Sequence, residues 1–189
     1  MTTPAEGNLT WTPTSTAAPA GSDLGADPLE LLATPTADVI ADYPSARVAP
    51  IDPTLADTAE FCATYGSAPS HSANCVIVAG KRGGLVSYAA VLVLSTDRAD
   101  INGVVRRHLG ARKLSFAPQD EAVALTGMEY GGITPIGLPA EWPLLVDATV
   151  LKRDQVVIGS GIRGSKLLVE PHDLLARPGA EVLALTLGA

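Results

Sequence analysis

The chain is predicted to fold as an α+β domain with a mixed, barrel-like β-sheet. Three observations carry this expectation. Short β-branched and apolar runs recur from residue 47 onward, bounded by Gly, Pro and polar turns, which is the pattern of short strands. Helix signals are interspersed among those runs instead of being segregated from them. The 189 residues, 47% of them hydrophobic, are enough for one globular domain with a real core.

The elements follow in chain order. Residues 1–28 are rich in Thr, Ala, Pro, Gly and Ser and read as a flexible tail, because such a composition buries too little apolar area to offset ordering. Leu9 and Trp11 are its exceptions, able to dock as a short strand. Residues 29–189 are assigned to a single domain. It begins with a weak helical pattern over Pro28–Tyr43, with a helix around Thr36–Tyr43, and a short strand at Arg47–Ile51. Asp57-Thr58-Ala59-Glu60 has the form of a capping box and opens a helix that ends at Gly66. Asn74–Ala79 and Leu85–Leu94 are strands joined through Lys81-Arg82-Gly83-Gly84, a hairpin. Asp100–Leu109 is helical, with cations at its C-terminal end and Gly110 as its cap. A strand at Lys113–Phe116 and a helix at Pro118–Leu125 precede a glycine-rich loop, Thr126–Pro139. Strands follow at Leu144–Val146, Gln155–Ile158 and Lys166–Val169, then a helix at Pro171–Leu175 and a last strand at Glu181–Leu187.

A net charge of −7 argues against a blunt nucleic-acid binder, but the charge is unevenly spread. Residues 1–60 hold nine acids and one base, Arg47, a balance of −8. Residues 61–189 hold twelve bases and eleven acids, a balance of +1. Arg98, Arg106, Arg107, Arg112 and Lys113 gather around one helix, and Arg163 and Lys166 lie beside Gly159; such a run reads as a solvated face or as a weak, salt-sensitive contact with RNA. Cys62 and Cys75 form no CxxC and no disulfide framework. No basic segment leads into an apolar one at the N-terminus, and the longest apolar run, near Leu85–Leu94, is far too short for a bilayer. The expected setting is the cytoplasm, away from any membrane.

Several motifs are weak. His71, His108 and His172 have no metal-ligand spacing, so no metal and no cofactor are expected. No GxSxG elbow is present. Gly159-Ser160-Gly161-Ile162-Arg163-Gly164 matches GxGxxG after a strand, but only 25 residues follow it, too few for a dinucleotide fold. It reads as a turn, or as a loop whose N–H groups face a ligand. The stretch from Thr126 to Pro139 is stronger, with four glycines and two prolines in fourteen residues. Glycines permit close backbone approach and prolines stiffen the path, so the loop can aim N–H groups at a carbonyl or carboxylate; the alternative is an ordinary long connection. Asp147, ending Leu144-Leu145-Val146, is either a pocket acid or a cap.

Taken in order, Thr126-Gly127, Gly131-Gly132-Ile133-Thr134-Pro135-Ile136-Gly137, Leu145-Val146-Asp147 and the Gly159–Gly164 motif resemble the YbaK/EbsC family. This is the aminoacyl-tRNA editing domain related to the insertion domain of bacterial prolyl-tRNA synthetases. Asp57–Gly66 and the helix before Gly110-Ala111-Arg112-Lys113 fit as well, and the likeness spans residues 45–185. The resemblance implies a barrel-like sheet with flanking helices, and hydrolysis of the ester joining a wrong amino acid to the 3′-terminal adenosine of tRNA. It implies a loop of Gly131, Gly132, Thr134, Pro135 and Gly137 around that adenosine and the aminoacyl carbonyl, with Thr126 beside it. Asp147 and Gly159-Ser160-Gly161 would line the pocket; Gly131, Gly132 and Asp147 would carry the catalysis. Many members start the first core strand with a lysine that contacts substrate. Here Asn74 stands in that position, a hydrogen-bonding group without charge. Cys75 should point to the opposite face and is not expected to be a nucleophile. The ester is already activated, so water, helped by the neighbouring ribose hydroxyl, can attack while loop N–H groups hold the oxyanion. The implied partners are the aminoacyl-adenosine end of tRNA and an aminoacyl-tRNA synthetase, with no DNA. The competing reading is an inactive module binding an amino acid, a nucleotide or a partner synthetase, which Asn74 favours.

Overall fold

The computed structural model describes residues 4–14 and 27–186. In chain order the strands are β1 (Thr12–Pro13), β2 (Arg47–Pro50), β3 (Ala73–Arg82), β4 (Leu85–Leu94), β5 (Lys113–Phe116), β6 (Leu144–Asp147), β7 (Val156–Gly159), β8 (Ser165–Val169) and β9 (Ala180–Leu183). The α-helices are α1 (Thr34–Ala37), α2 (Thr58–Tyr65), α3 (Arg106–His108) and α4 (Gln119–Thr126). The strands form two open sheets, β1-β2-β8-β7 and β5-β3-β4-β6-β9. A parallel bridge from Ser72 to Val157 joins them at one corner. The architecture is therefore mixed α+β. The barrel-like closure expected from the sequence is not formed among the described strands, because the sheets meet at that corner and not along whole edges.

Local chemistry explains the elements. The β3–β4 hairpin turns on Gly83 and Gly84 alone, with φ of +59° and +84°, the geometry a two-residue hairpin loop needs. β3 thus runs longer than the sequence pattern indicates, while β4 has the expected bounds. Asp100 caps the following turn, its carboxylate accepting from Gly103 and Val104 N–H. That segment opens as a π-turn, Ile101–Val105, before closing into α3. The expected helix at Thr36–Tyr43 is instead two short pieces, α1 and a 3-10 turn at Ile40–Asp42. β6 lies between β4 and β9, parallel to both, and all four of its residues are buried, which explains its unbroken apolar run.

The main core lies between the sheets and includes Leu92, Val146, Ile158 and Leu167. A second cluster packs the π-turn and α3 region on the outer face of the β3-β4-β6 layer through Val91, Val105 and Leu145. Residues 4–14 run back against α2. Ala5 is fully buried, Asn8 N–H donates to Tyr65 O, and Leu9 and Trp11 pack on the cluster around Phe61. The rest of the expected tail, residues 1–3 and 15–26, lies outside the described residues, as does Leu187 of the expected last strand. No described helix is long and apolar enough to cross a membrane.

Candidate active site

A cleft of about 520 Å3 opens where the two sheets diverge. One wall is the start of β3, from Ala73 to Ile77. Another is the end of β7 with its β8 neighbour, Gly159 being paired with Lys166. The N-terminus of α2 and the glycine loop around Gly131 and Ile133 close it, and Phe116 and Tyr130 stand at its rim.

Glycines allow this convergence. A Cβ on Gly159 would lie 2.3 Å from Gly132 O and 2.6 Å from Ile133 O, so only a glycine lets β7 touch the loop. Gly161 ties turn to loop: its N–H donates to Gly132 O and its carbonyl accepts from Glu129 N–H. The N–H of Gly132 is committed to Glu129 O. The N–H groups of Gly131 and Ile133, both lining the cleft, have no acceptor among the described residues. They are the donors left for a ligand.

Of the residues expected in the site, the structure brings Asn74, Gly131 and Gly159 together in the cleft. Asn74 Oδ1 accepts from Thr58 Oγ1 at 2.8 Å, leaving its amide NH2 free to donate. Gly132 sits just behind the lining, against the backbone of Ile162. The others serve the framework. Thr126 Oγ1 donates to Ala122 O inside α4. Thr134 and Pro135 are buried, the Thr134 hydroxyl without a hydrogen-bond partner among the described residues. Gly137 packs on Pro35 of α1. Ser160 Oγ bonds within its own turn, to Ser165 and to the carbonyl of Ile162. Asp147 is not in the cleft. It is 1% exposed, and its carboxylate accepts from Thr149 N–H, Thr149 Oγ1 and Leu185 N–H, tying β6 to the chain beyond β9. Of its two sequence readings the geometry supports the cap.

Sequence reasoning did not place four groups at the cleft, and it read one of them, Lys166, as part of a solvated face or a weak RNA contact. Lys166 is only 7% exposed, on the middle strand β8, with Nζ donating to Ala56 O at 2.7 Å and lying 5.4 Å from the centre of the Phe61 ring. Burial above all, helped by the nearby Arg163, lowers its pKa to about 8. The available signal was a charged residue inside an otherwise apolar buried strand. Phe116 and Tyr130 are 61% and 58% exposed, unusual for aromatics in a chain that has eight. Asp57 does sit at the N-cap of α2, but its carboxylate makes no capping bond; it pairs with Arg163 at 3.3 Å instead. Cys75 borders the cleft too, and burial pushes its thiol up to about 12, so it carries no thiolate at neutral pH and is no nucleophile.

The cleft lining includes Gly131 and Gly159, where main-chain groups can come close to a ligand. Residues 52–176 match the aminoacyl-tRNA editing domain, and the chain belongs to that family. Among solved structures it is similar to a protein ascribed a trans-editing role for prolyl-tRNA synthetase, with a TM-score of 0.66 and 25% identity over 76% of this chain and 87% of that one. It is also similar to a hypothetical protein, with a TM-score of 0.69 and 28% identity over 79% of this chain and 96% of the other.

Proposed function

We propose that the chain is a trans-acting aminoacyl-tRNA deacylase that hydrolyses the ester of a mischarged tRNA in solution, alongside a synthetase. One observation carries the reading: a single cleft joins unused N–H donors at Gly131 and Ile133 to two exposed aromatic rings, Phe116 and Tyr130. The rings suit stacking on the terminal adenine, and the donors suit the aminoacyl carbonyl. Water adds to the carbonyl carbon, the displaced π electrons rest on oxygen facing those N–H groups, and collapse expels the ribose oxygen. That oxygen takes up the proton released by the water, and the products are free amino acid and tRNA.

On the same two strands, β3 and β5, a second groove is lined by Lys81 and Lys113, with Arg106 and Arg112 beside them. Lys113 is three residues from Phe116 on β5, about 10 Å at strand spacing. These cations have no acidic partner among the described residues, which supports a contact with RNA phosphates beyond the terminal nucleotide. Deacylation across a panel of mischarged tRNAs tests the proposal. Turnover of at least one is expected, and no turnover of any would overturn it. Binding of aminoacyl-adenosine without turnover would favour the second reading, an inactive module, which rests on Asn74 bringing no charge to β3.

A further inference from the structure

Lys166 is the cation lining the cleft, and it is poorly satisfied. An ammonium has three N–H donors. One reaches Ala56 O, the Phe61 ring lies to one side, and no other acceptor is present among the described residues. The nearby carboxylate, Asp57, is already paired with Arg163, so Lys166 forms no ion pair among the described residues. The charged and titratable groups around it are Asp57, Arg163 and Cys62. Arg163 repels it, Asp57 attracts it weakly, and Cys62 is a buried thiol bonded to Ser72 Oγ. A buried charge left this way is costly, and a bound anionic oxygen would offset the cost.

We propose that Lys166 is a substrate-binding residue that donates to an anionic oxygen of the aminoacyl-adenosine end. It thereby supplies from β8 the positive charge that Asn74 does not supply from β3. The proposal rests on the deacylase reading. The substrate offers such an oxygen in two places: the phosphate of the terminal nucleotide, charged throughout, and the ester carbonyl, charged only after water adds. Both are the same chemistry, and kinetics separate them.

The experiment compares wild type, Lys166→Gln and Lys166→Arg in deacylation and in calorimetric binding of adenosine and adenosine 5′-monophosphate, with thermal unfolding checking the fold. A phosphate contact raises KM about tenfold or more in Lys166→Gln, weakens the nucleotide and spares the nucleoside. An oxyanion contact instead lowers kcat about 100-fold and leaves nucleotide binding alone. In either case Lys166→Arg recovers most of the loss. Wild-type activity should also fall as pH rises through about 8, a limb that Lys166→Arg moves upward and a structural role would not produce. Unchanged kcat, KM and nucleotide binding in folded Lys166→Gln would overturn the proposal while leaving an active wild type as a deacylase. If wild type hydrolyses nothing, the deacylase reading falls. Nucleotide binding then decides Lys166 alone: weaker in Lys166→Gln supports the anion contact, and equal refutes it.

Discussion

Two buried ionisable side chains, one in each sheet, are treated in opposite ways. Asp147, at the end of β6, receives three hydrogen bonds from Thr149 and Leu185. Lys166, the second residue of β8, gives one, to Ala56 O. A buried charge whose bonding capacity is met by its own chain stabilises that chain; one left short is a cost the fold carries, and it faces a cleft. The contrast separates architecture from function more sharply than residue type does. The family resemblance drew the catalytic expectation to the acid in Leu-Val-Asp and not to the lysine.

Substitutions can break or sharpen the contrast. The largest effect is expected from Gly131→Ala. Its φ of +85° and a Cβ only 2.2 Å from Arg163 Nη1 displace the loop donors. Deacylation should slow by about 100-fold or more while the unfolding midpoint moves little. Normal turnover in that folded variant would remove the loop from the mechanism. Asp147→Ala comes next, and on stability: leaving Leu185 and Thr149 N–H groups unpaired should cost about 3 kcal/mol in urea unfolding, with turnover per folded molecule preserved. The reverse result, a stable but inactive protein, would return Asp147 to the site and dissolve the contrast.

Phe116→Ala should weaken binding of the adenosine end by about 1–2 kcal/mol, read as a raised KM, with little change in stability because the ring is mostly exposed. The smallest effect has the opposite sign. Lys166→Met should be as stable as wild type at pH 7 or more so, by about 1 kcal/mol. The folded pKa of Lys166 is depressed to about 8, below its ordinary 10.5, so between those values the unfolded chain binds the extra proton. Wild-type stability relative to Lys166→Met should therefore rise from pH 8 to 10.5. A difference between the two that stays flat over that range would show that Lys166 is not buried as a strained cation.

The sequence made most elements legible because their signals are local. Gly83-Gly84 forces the hairpin, Asp100 caps its turn through its own neighbours, and Gly66 and Gly127 end α2 and α4 in the left-handed conformation. The family was legible for a related reason: its motifs are short glycine runs, each required by a close backbone approach. The individual roles were harder to read. Thr134, Pro135, Gly137, Ser160 and Gly161 belong to those motifs, yet none is among the residues lining the cleft; Gly137, Ser160 and Gly161 pack on or bond to the α1 region and the loop, and Thr134 and Pro135 are buried. A motif records that a position is constrained, not whether a ligand or a neighbour constrains it.

The sequence by itself determined the α+β class, the order of the strands along the chain, and a glycine loop built to bring backbone close to something. Those depend on propensities and spacings that act over a few residues. Only the tertiary structure decided that the sheets meet at one corner without closing, that Asp147 is satisfied by Leu185 across 38 residues, and that Lys166 reaches Ala56 across 110 and faces the cleft. Whether a buried charge is satisfied depends on partners distant in sequence, and no local pattern encodes them.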